Sequence, residues 1–484
     1  MSDNEIDRIP PGIRLGVVRG ITYGLFGPPE PIVAPARGIG AGVIRVYLYW
    51  SQIEPEPGRF VWDAVDTLLA QLDGDEEVWV TVSSSSMWAT RRATDMLPPS
   101  PARDLDTFAA FVRRLVERCR GRVMYWQCDN EPSIPILWAG TAAEYVAQLK
   151  VFAAAVRAAD PAALVTLGGL PPGGHRPGVF EYIAEHARDD FDVFDIHLYG
   201  DPYGIPEQIA AARKLMAAHG YQKPVVAGEY NGPVLFQFPE LMGELGAVFA
   251  GFGAQMVGTD GEGTADAEWT ATTTDTGPAP EHEAMADLYA RMAELPPRIQ
   301  MFMENCPPEY EQLRHRWNSR DIVMRNVLAL SAGVRRTLCW NLAPESPAGG
   351  DIYSGMVLLF NKFKLMDYEG DRIAHRYPSA AALALTARML SGTTVVVRRE
   401  FEGHPELYVF EIERASGPLL VAWERRDDVT GEAQPPALFH HPWSAATAHA
   451  VNAYGEPVPV ETASGAVHFP ISLTPLFIEP LRTD

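Results

Sequence analysis

The run "YWQCDNEPSIPILW" (125–138) reads as an apolar strand until it meets Asp129, Asn130 and Glu131, and Pro132 then stops it. In "PVVAGEYNGP" (224–233) a second β-branched run ends in Glu229, Tyr230 and Asn231. Either tripeptide alone also suits an ordinary strand-ending turn. Two glutamates at the ends of two strands that open on one pocket can do more. One can donate a proton to a glycosidic oxygen while the other attacks the sugar carbon or activates water. A carboxyl separation of about 5–5.5 Å would give a covalent intermediate and retention, and about 6.5–9.5 Å would give inversion.

Other residues could serve the same chemistry. Asn130 can donate to the sugar hydroxyl beside the reacting carbon. Arg45, inside "GVIRVYLYW" (42–50), can neutralise and orient a buried carboxylate. His197 and Tyr199 end "DVFDIHLY" (192–199), and Tyr199 or Tyr230 could donate to Glu229. Trp50, Trp88 and Trp340 fall at or beyond the ends of strand-like runs and offer flat faces to sugar C–H groups. Plainer roles stay open: a structural ion pair for Arg45, a satisfied core histidine for His197, and core packing for the tryptophans.

For these residues to meet, the strands must share one rim. The sequence alternates strand-like runs at 13–18, 42–50, 76–86, 122–128, 163–168, 192–198, 224–228 and 335–342 with helical patterns at 60–72, 104–119, 141–158, 178–188, 205–219, 307–333 and 377–390. In 104–119, Leu105, Phe108, Phe111, Val112, Leu115 and Val116 recur at helical spacing, with Asp104 placed as N-cap. Eight β/α units predict a (β/α)8 TIM barrel over residues 1–390, whose strand ends deliver side chains to one face. A doubly wound sheet is the rival, but no G-x-G-x-x-G follows the first strand. Residues 231–306 form an insertion after strand seven, rich in aromatics such as Phe236, Phe238, Phe249, Phe252, Trp269, Tyr289 and Phe302. It reads as a small subdomain, a substrate-facing wall, or both. Beyond 391 the texture changes to short strands split by Gly, Pro and charge, which predicts a C-terminal β-sandwich over 391–484.

Composition excludes several classes. A formal net charge of −22 argues against nucleic acid or an anionic membrane surface as partner. No apolar run approaches the roughly 18 residues of a membrane span. "MSDNEIDRIPPGIRLG" lacks the basic-then-apolar pattern of a signal peptide, and Cys119, Cys128, Cys306 and Cys339 are scattered, so a cytoplasmic protein with buried free thiols is expected. The acidic run "DGEGTADAE" (260–268), with Asp260, Glu262, Asp266 and Glu268, lacks the spacing of a calcium loop and reads as solvated. The serines 83–86 lack a G-x-S-x-G frame. No metal or other cofactor is called for.

The ordered segments "RVYLYWSQIEPEPGRFVWDAVD", "WQCDNEPS", "DIHLYG", "VVAGEYNGP" and "LCWNL" resemble clan A glycoside hydrolases. With the C-terminal sandwich, the chain is most similar to family thirty-nine, which holds β-xylosidases and α-L-iduronidases, and more loosely to the related β-glucuronidase and arabinofuranosidase families. The resemblance implies a retaining glycosidase acting on a carbohydrate, exo-acting or on a small glycoside, without cofactor. It implies Glu131 as acid/base, Glu229 as nucleophile, Asn130 as ligand of the 2-hydroxyl and Arg45 as the nucleophile's partner. The long segment 231–306 departs from the compact family pattern. A transglycosylase on the same residues, or a carbohydrate-binding protein on an inactive barrel, are the alternatives.

Overall fold

The structure is a computed structural model describing residues 8–173, 176–238, 241, 243–246, 248, 280–346 and 351–481. Eight parallel strands run β1 Arg14–Arg19, β2 Val43–Tyr49, β3 Glu77–Ser83, β4 Tyr125–Cys128, β5 Leu164–Thr166, β6 Phe194–His197, β7 Val225–Tyr230 and β8 Arg336–Trp340. They lie in the order β5-β4-β3-β2-β1-β8-β7-β6, and bridges Thr166–Val193 and Leu170–Ile196 close β5 onto β6. The predicted (β/α)8 barrel is therefore present.

Side-chain alternation builds two cores from each strand. On β2 the odd positions Val43, Tyr47 and Tyr49 point into the barrel. The even positions Ile44, Val46 and Leu48 pack outward against the helices. β4 and β6 follow the same rule, with Tyr125, and Val193 just before β6, inside and Trp126, Cys128, Phe194 and Ile196 outside. At the N-terminal end of the interior, Arg336 donates two bonds of 2.7 Å to Glu77, and Tyr125 donates a third of 2.9 Å. That pairing lets charged groups sit in the barrel without an unmatched buried charge.

One strand breaks the alternation. Val225 and Ala227 of β7 face the helices, yet so does Tyr230. The register shifts between Ala227 and Tyr230 against β8, and between Asp195 and His197 where β6 meets β7. This irregularity inserts one residue, so Glu229 as well as Gly228 faces the interior. A Cβ on Gly228 would lie 2.4 Å from Asp195 Oδ1, so glycine is required where the two strands crowd.

The sandwich has a six-stranded antiparallel sheet, beginning at Thr393–Arg399, and a three-stranded one of Ala437–Pro442, Ala466–Ile471 and Glu461–Ala463. The larger sheet is apolar on both faces. Val409, Leu420, Ala422 and Ile478 meet the three-stranded sheet. Tyr408, Phe410, Val421, Trp423 and Phe477 join the outer barrel core. Sequence patterning missed the hairpin Met366–Glu369/Arg372–Arg376 and the helix Gly355–Phe360 after β8. Within 231–306, Val234, Leu235, Phe238, Met285, Leu288 and Phe302 pack in one cluster with Trp317, Trp340 and the barrel interior, so the described part of the insertion shares the barrel's core. Phe249, Phe252, Trp269 and the acidic run 260–268 lie outside the described residues. All four cysteines are buried and unpaired. Among the described residues, no helix is long and apolar enough to cross a membrane.

Candidate active site

Arg45 organises the C-terminal end of the barrel interior. It is fully buried, and its guanidinium lies 5.0 Å from the ring centroids of both Tyr47 and Trp79. Nη1 donates to Glu229 Oε1 at 2.9 Å and to the Gly228 carbonyl at 3.0 Å. Nη2 donates to Tyr47 Oη (2.9 Å), Gln127 Oε1 (2.7 Å) and Asn130 Oδ1 (2.8 Å), and Nε to Thr81 Oγ1 (2.9 Å). Burial alone would pull the guanidinium's pKa down, but Tyr47, Glu229 and Asp195 raise it, so the cation persists. Four strands supply this network, which is what a barrel rim makes available.

Glu229 is held on both oxygens. Tyr47 Oη donates to Oε1 at 2.8 Å and Tyr199 Oη to Oε2 at 2.8 Å. With Arg45 on Oε1, this carboxylate has fixed orientation and a matched charge.

Glu131 stands in a different setting. Its backbone is left-handed, φ 41°, as is that of Asp129, φ 52°, a conformation non-glycine residues adopt only when their surroundings enforce it. Asp129 supplies part of that enforcement. It accepts from Ser84 N (2.7 Å), Ser84 Oγ (2.9 Å) and Gln148 Nε2 (3.1 Å), tying the end of β4 to the loop after β3 and to helix Ala142–Ala159. Burial pushes the Asp129 carboxyl up to about 7. The serine run thus has a structural use. Burial also raises the pKa of Glu131, opposed chiefly by His197, which is the direction a general acid needs.

His197 links the two glutamates. Nδ1 lies 2.5 Å from Glu131 Oε1 and 3.4 Å from Glu229 Oε2, and Nε2 lies 3.2 Å from Asp195 Oδ2. Burial pulls its pKa down, but Glu229, Glu131 and Asp195 together carry it up to about 10. The ring is an imidazolium at neutral pH. Glu131, His197 and Glu229 each offer a ligand-type atom, all within 4.8 Å of one another. Arg45, Tyr47 and Tyr199 already donate to the two Glu229 oxygens.

The structure thus brings together Glu131, Glu229, Asn130, Arg45, His197 and Tyr199. Trp340 is at the edge of this group, its ring 6.3 Å from that of Tyr47 and edge-on to it. Three expected contributors lie elsewhere. Tyr230 faces the helices because of the β7 bulge, and its hydroxyl accepts from Asn326 Nδ2 at 2.8 Å. Trp50 continues the outward set of β2. It stacks on Phe111 at 5.0 Å and donates to Glu54 at 3.0 Å. Trp88 packs edge-on against Trp50 and donates to the Glu54 carbonyl. Neither tryptophan is placed to stack on a sugar bound at the glutamates. Tyr47, Gln127, Asp195, Thr81 and Trp79 were missed. Their signal was two-residue spacing: Tyr47 from Arg45, and Asp195 from His197, share a strand face.

A cavity of about 630 Å³ opens nearby, between the loops after β1 and β8, lined by residues including Arg19, Glu30, Asn305, Lys364 and Tyr368. Neither glutamate lines it. They sit deeper, 7% and 4% exposed.

No protein-family model matches the sequence, and no curated protein matches it. Solved structures do. A family 39 glycoside hydrolase from the gut symbiont Bacteroides cellulosilyticus WH2 matches with a TM-score of 0.59 at 14% identity, covering 99% of this chain and 82% of that one. The family 51 α-L-arabinofuranosidase AbfB from Bifidobacterium longum matches with a TM-score of 0.55 at 11% identity, covering 98% of each chain. A glucosidase from Croceicoccus marinus gives 0.53 at 13% identity, covering 99% of this chain and 98% of that one. At these identities the likeness is one of fold, and it runs nearly the whole length of this chain.

Proposed function

We propose that the chain is a retaining glycoside hydrolase in which Glu131 is the acid/base and Glu229 the nucleophile. One observation carries the reading. Two buried carboxylates, from the ends of β4 and β7, have oxygens within 4.8 Å of each other in opposite environments. Oxygens this close leave little room between the carboxyls for the water of an inverting mechanism, and support double displacement. Glu131, its pKa raised by burial, protonates the leaving oxygen; Glu229, clamped by Arg45, Tyr47 and Tyr199, attacks the anomeric carbon. Water activated by Glu131 then releases the sugar. Asn130 accepts from Arg45 on its amide oxygen, which leaves the NH2 as the end available to the sugar's 2-hydroxyl. The three low-identity neighbours described above, each a glycosidase by name, agree with this reading.

In this reading residues 1–390 are the catalytic unit and 391–484 its supporting sandwich. The described part of 231–306 walls the site. There Phe236 stands edge-on to Tyr199 at 5.7 Å and 47% exposed, an apolar face for a sugar. Action is on a small glycoside or at a chain end, because both glutamates sit deep in the barrel.

The test is Glu229→Gly on an aryl glycoside with added azide. Activity should vanish without azide and return with it, giving a glycosyl azide of inverted configuration. Unimpaired turnover by the variant refutes the nucleophile assignment.

A further inference from the structure

We infer that Asp195 is a positioning residue that sets both glutamates at once, one through His197 and the other through the bulge of β7. The inference rests on the glycosidase reading above.

Asp195 is wholly buried beneath the glutamates. Its contacts are all donors. Oδ1 accepts from Gly228 N at 2.6 Å, and Oδ2 accepts from Gln127 Nε2 at 2.9 Å and lies 3.2 Å from His197 Nε2. Gln127 cannot turn round to relieve a change here. Its oxygen accepts from Arg45 and Thr81, and its nitrogen also serves the Leu167 carbonyl.

Two consequences follow from this geometry. First, a carboxylate at Nε2 keeps that nitrogen protonated and aims Nδ1–H at Glu131, the orientation seen at 2.5 Å. The ring has little freedom of its own, since a Cβ on Gly169 would lie 2.1 Å from Nε2. Second, the Gly228 N–H held by Asp195 belongs to the residue before Glu229, inside the irregularity that turns Glu229 inward. The carboxylate fills the notch that the missing Gly228 side chain leaves. The charged and titratable groups around it are Arg45 from β2, 3.9 Å away, His197 from its own strand and Tyr145 from helix Ala142–Ala159.

The variant Asp195→Asn keeps size and shape but must point an NH2 at one of three donors. Kinetics are read on 4-nitrophenyl and 2,4-dinitrophenyl glycosides of a sugar the wild type cleaves. A displaced acid matters more for the poorer leaving group. The expected falls in kcat/KM are about 100-fold for 4-nitrophenyl and about tenfold for 2,4-dinitrophenyl, the scale of a 1 Å misplacement. Loss of the positive charge beside Glu131 should also move the alkaline limb of the pH profile upward. Gly228→Ala retains every polar group but drives a methyl into the carboxylate, and should reproduce the leaving-group pattern. Equal falls on both substrates, or wild-type kinetics in either variant, overturn the inference. A readout independent of turnover is ¹⁵N NMR of the His197 ring near neutral pH, assigned with His197→Gln. Both ring nitrogens should be protonated in the wild type, and Nε2 should lose its proton in Asp195→Asn. An unchanged ring signal overturns the inference even if no glycoside is cleaved. Normal turnover by Glu131→Gln and Glu229→Gly, with the ring change present, would instead sink the glycosidase reading alone.

Discussion

Replacing His197 with glutamine should change how stability depends on pH. In the folded chain the ring is carried from about 6.5 up to about 10 by three carboxylates. The folded state therefore holds this proton more tightly than the unfolded state. Its contribution is complete below pH 6.5 and is lost as pH rises through 10. At about 1.4 kcal/mol per pH unit the full contribution is about 5 kcal/mol, an upper bound for a group that moves its neighbours. Urea unfolding of wild type and His197→Gln, at unit steps from pH 6 to 10, isolates it. Lysines and tyrosines titrate alike in both proteins and cancel in the difference. The stability gap should be largest at pH 6 and shrink by several kcal/mol by pH 10. A gap that stays flat would mean a neutral His197, and the imidazolium bridge between Glu131 and Asp195 would be wrong.

Three further predictions separate site from scaffold. Tyr199→Phe removes a bond to a buried carboxylate, worth about 1.5–3 kcal/mol, and should lower kcat/KM at least tenfold. Tyr230→Phe loses the hydroxyl's contacts with Asn326 and Cys339, away from the glutamates, and should lower stability by about 1 kcal/mol with kcat unchanged. Steady-state kinetics beside urea melts distinguishes them. Trp50→Ala should destabilise by about 3–5 kcal/mol through the cavity left against Phe108 and Phe111, with KM unaltered; a raised KM in a stably folded variant would put Trp50 at the sugar after all.

The barrel was legible in the sequence because eight strand-like runs alternate with helical ones, and N-cap signals such as Asp104 and Thr141 fall where helices begin. The glutamate pair was legible because each ends a strand. Contributions from strand interiors were harder. Arg45 and Tyr47 form one unit, but only alternation counted outward from Arg45 reveals Tyr47 and also sends Trp50 to the opposite face. Tyr230 was misplaced for a related reason. Strict alternation from Val226 and Gly228 puts Tyr230 inside, and the bulge that reverses it depends on crowding between Gly228 and Asp195, which are far apart in sequence. The hairpin Met366–Glu369/Arg372–Arg376 escaped notice because its second strand is mostly exposed and carries no apolar alternation.

The two-faced sheet has a consequence for how the molecule comes apart. Trp423 donates to Tyr203 at 3.2 Å, and the fully buried Arg320 of helix Pro308–Ser331 donates to Glu432 at 2.9 Å and to the Asp428 carbonyl at 2.8 Å. Cutting the chain near residue 390 would therefore not release a tidy barrel. It would strip a barrel helix of its cover, strand a guanidinium and expose a patch of aromatic surface prone to aggregation. Heat or denaturant faces the same linkage, so barrel and sandwich should unfold together in a single transition.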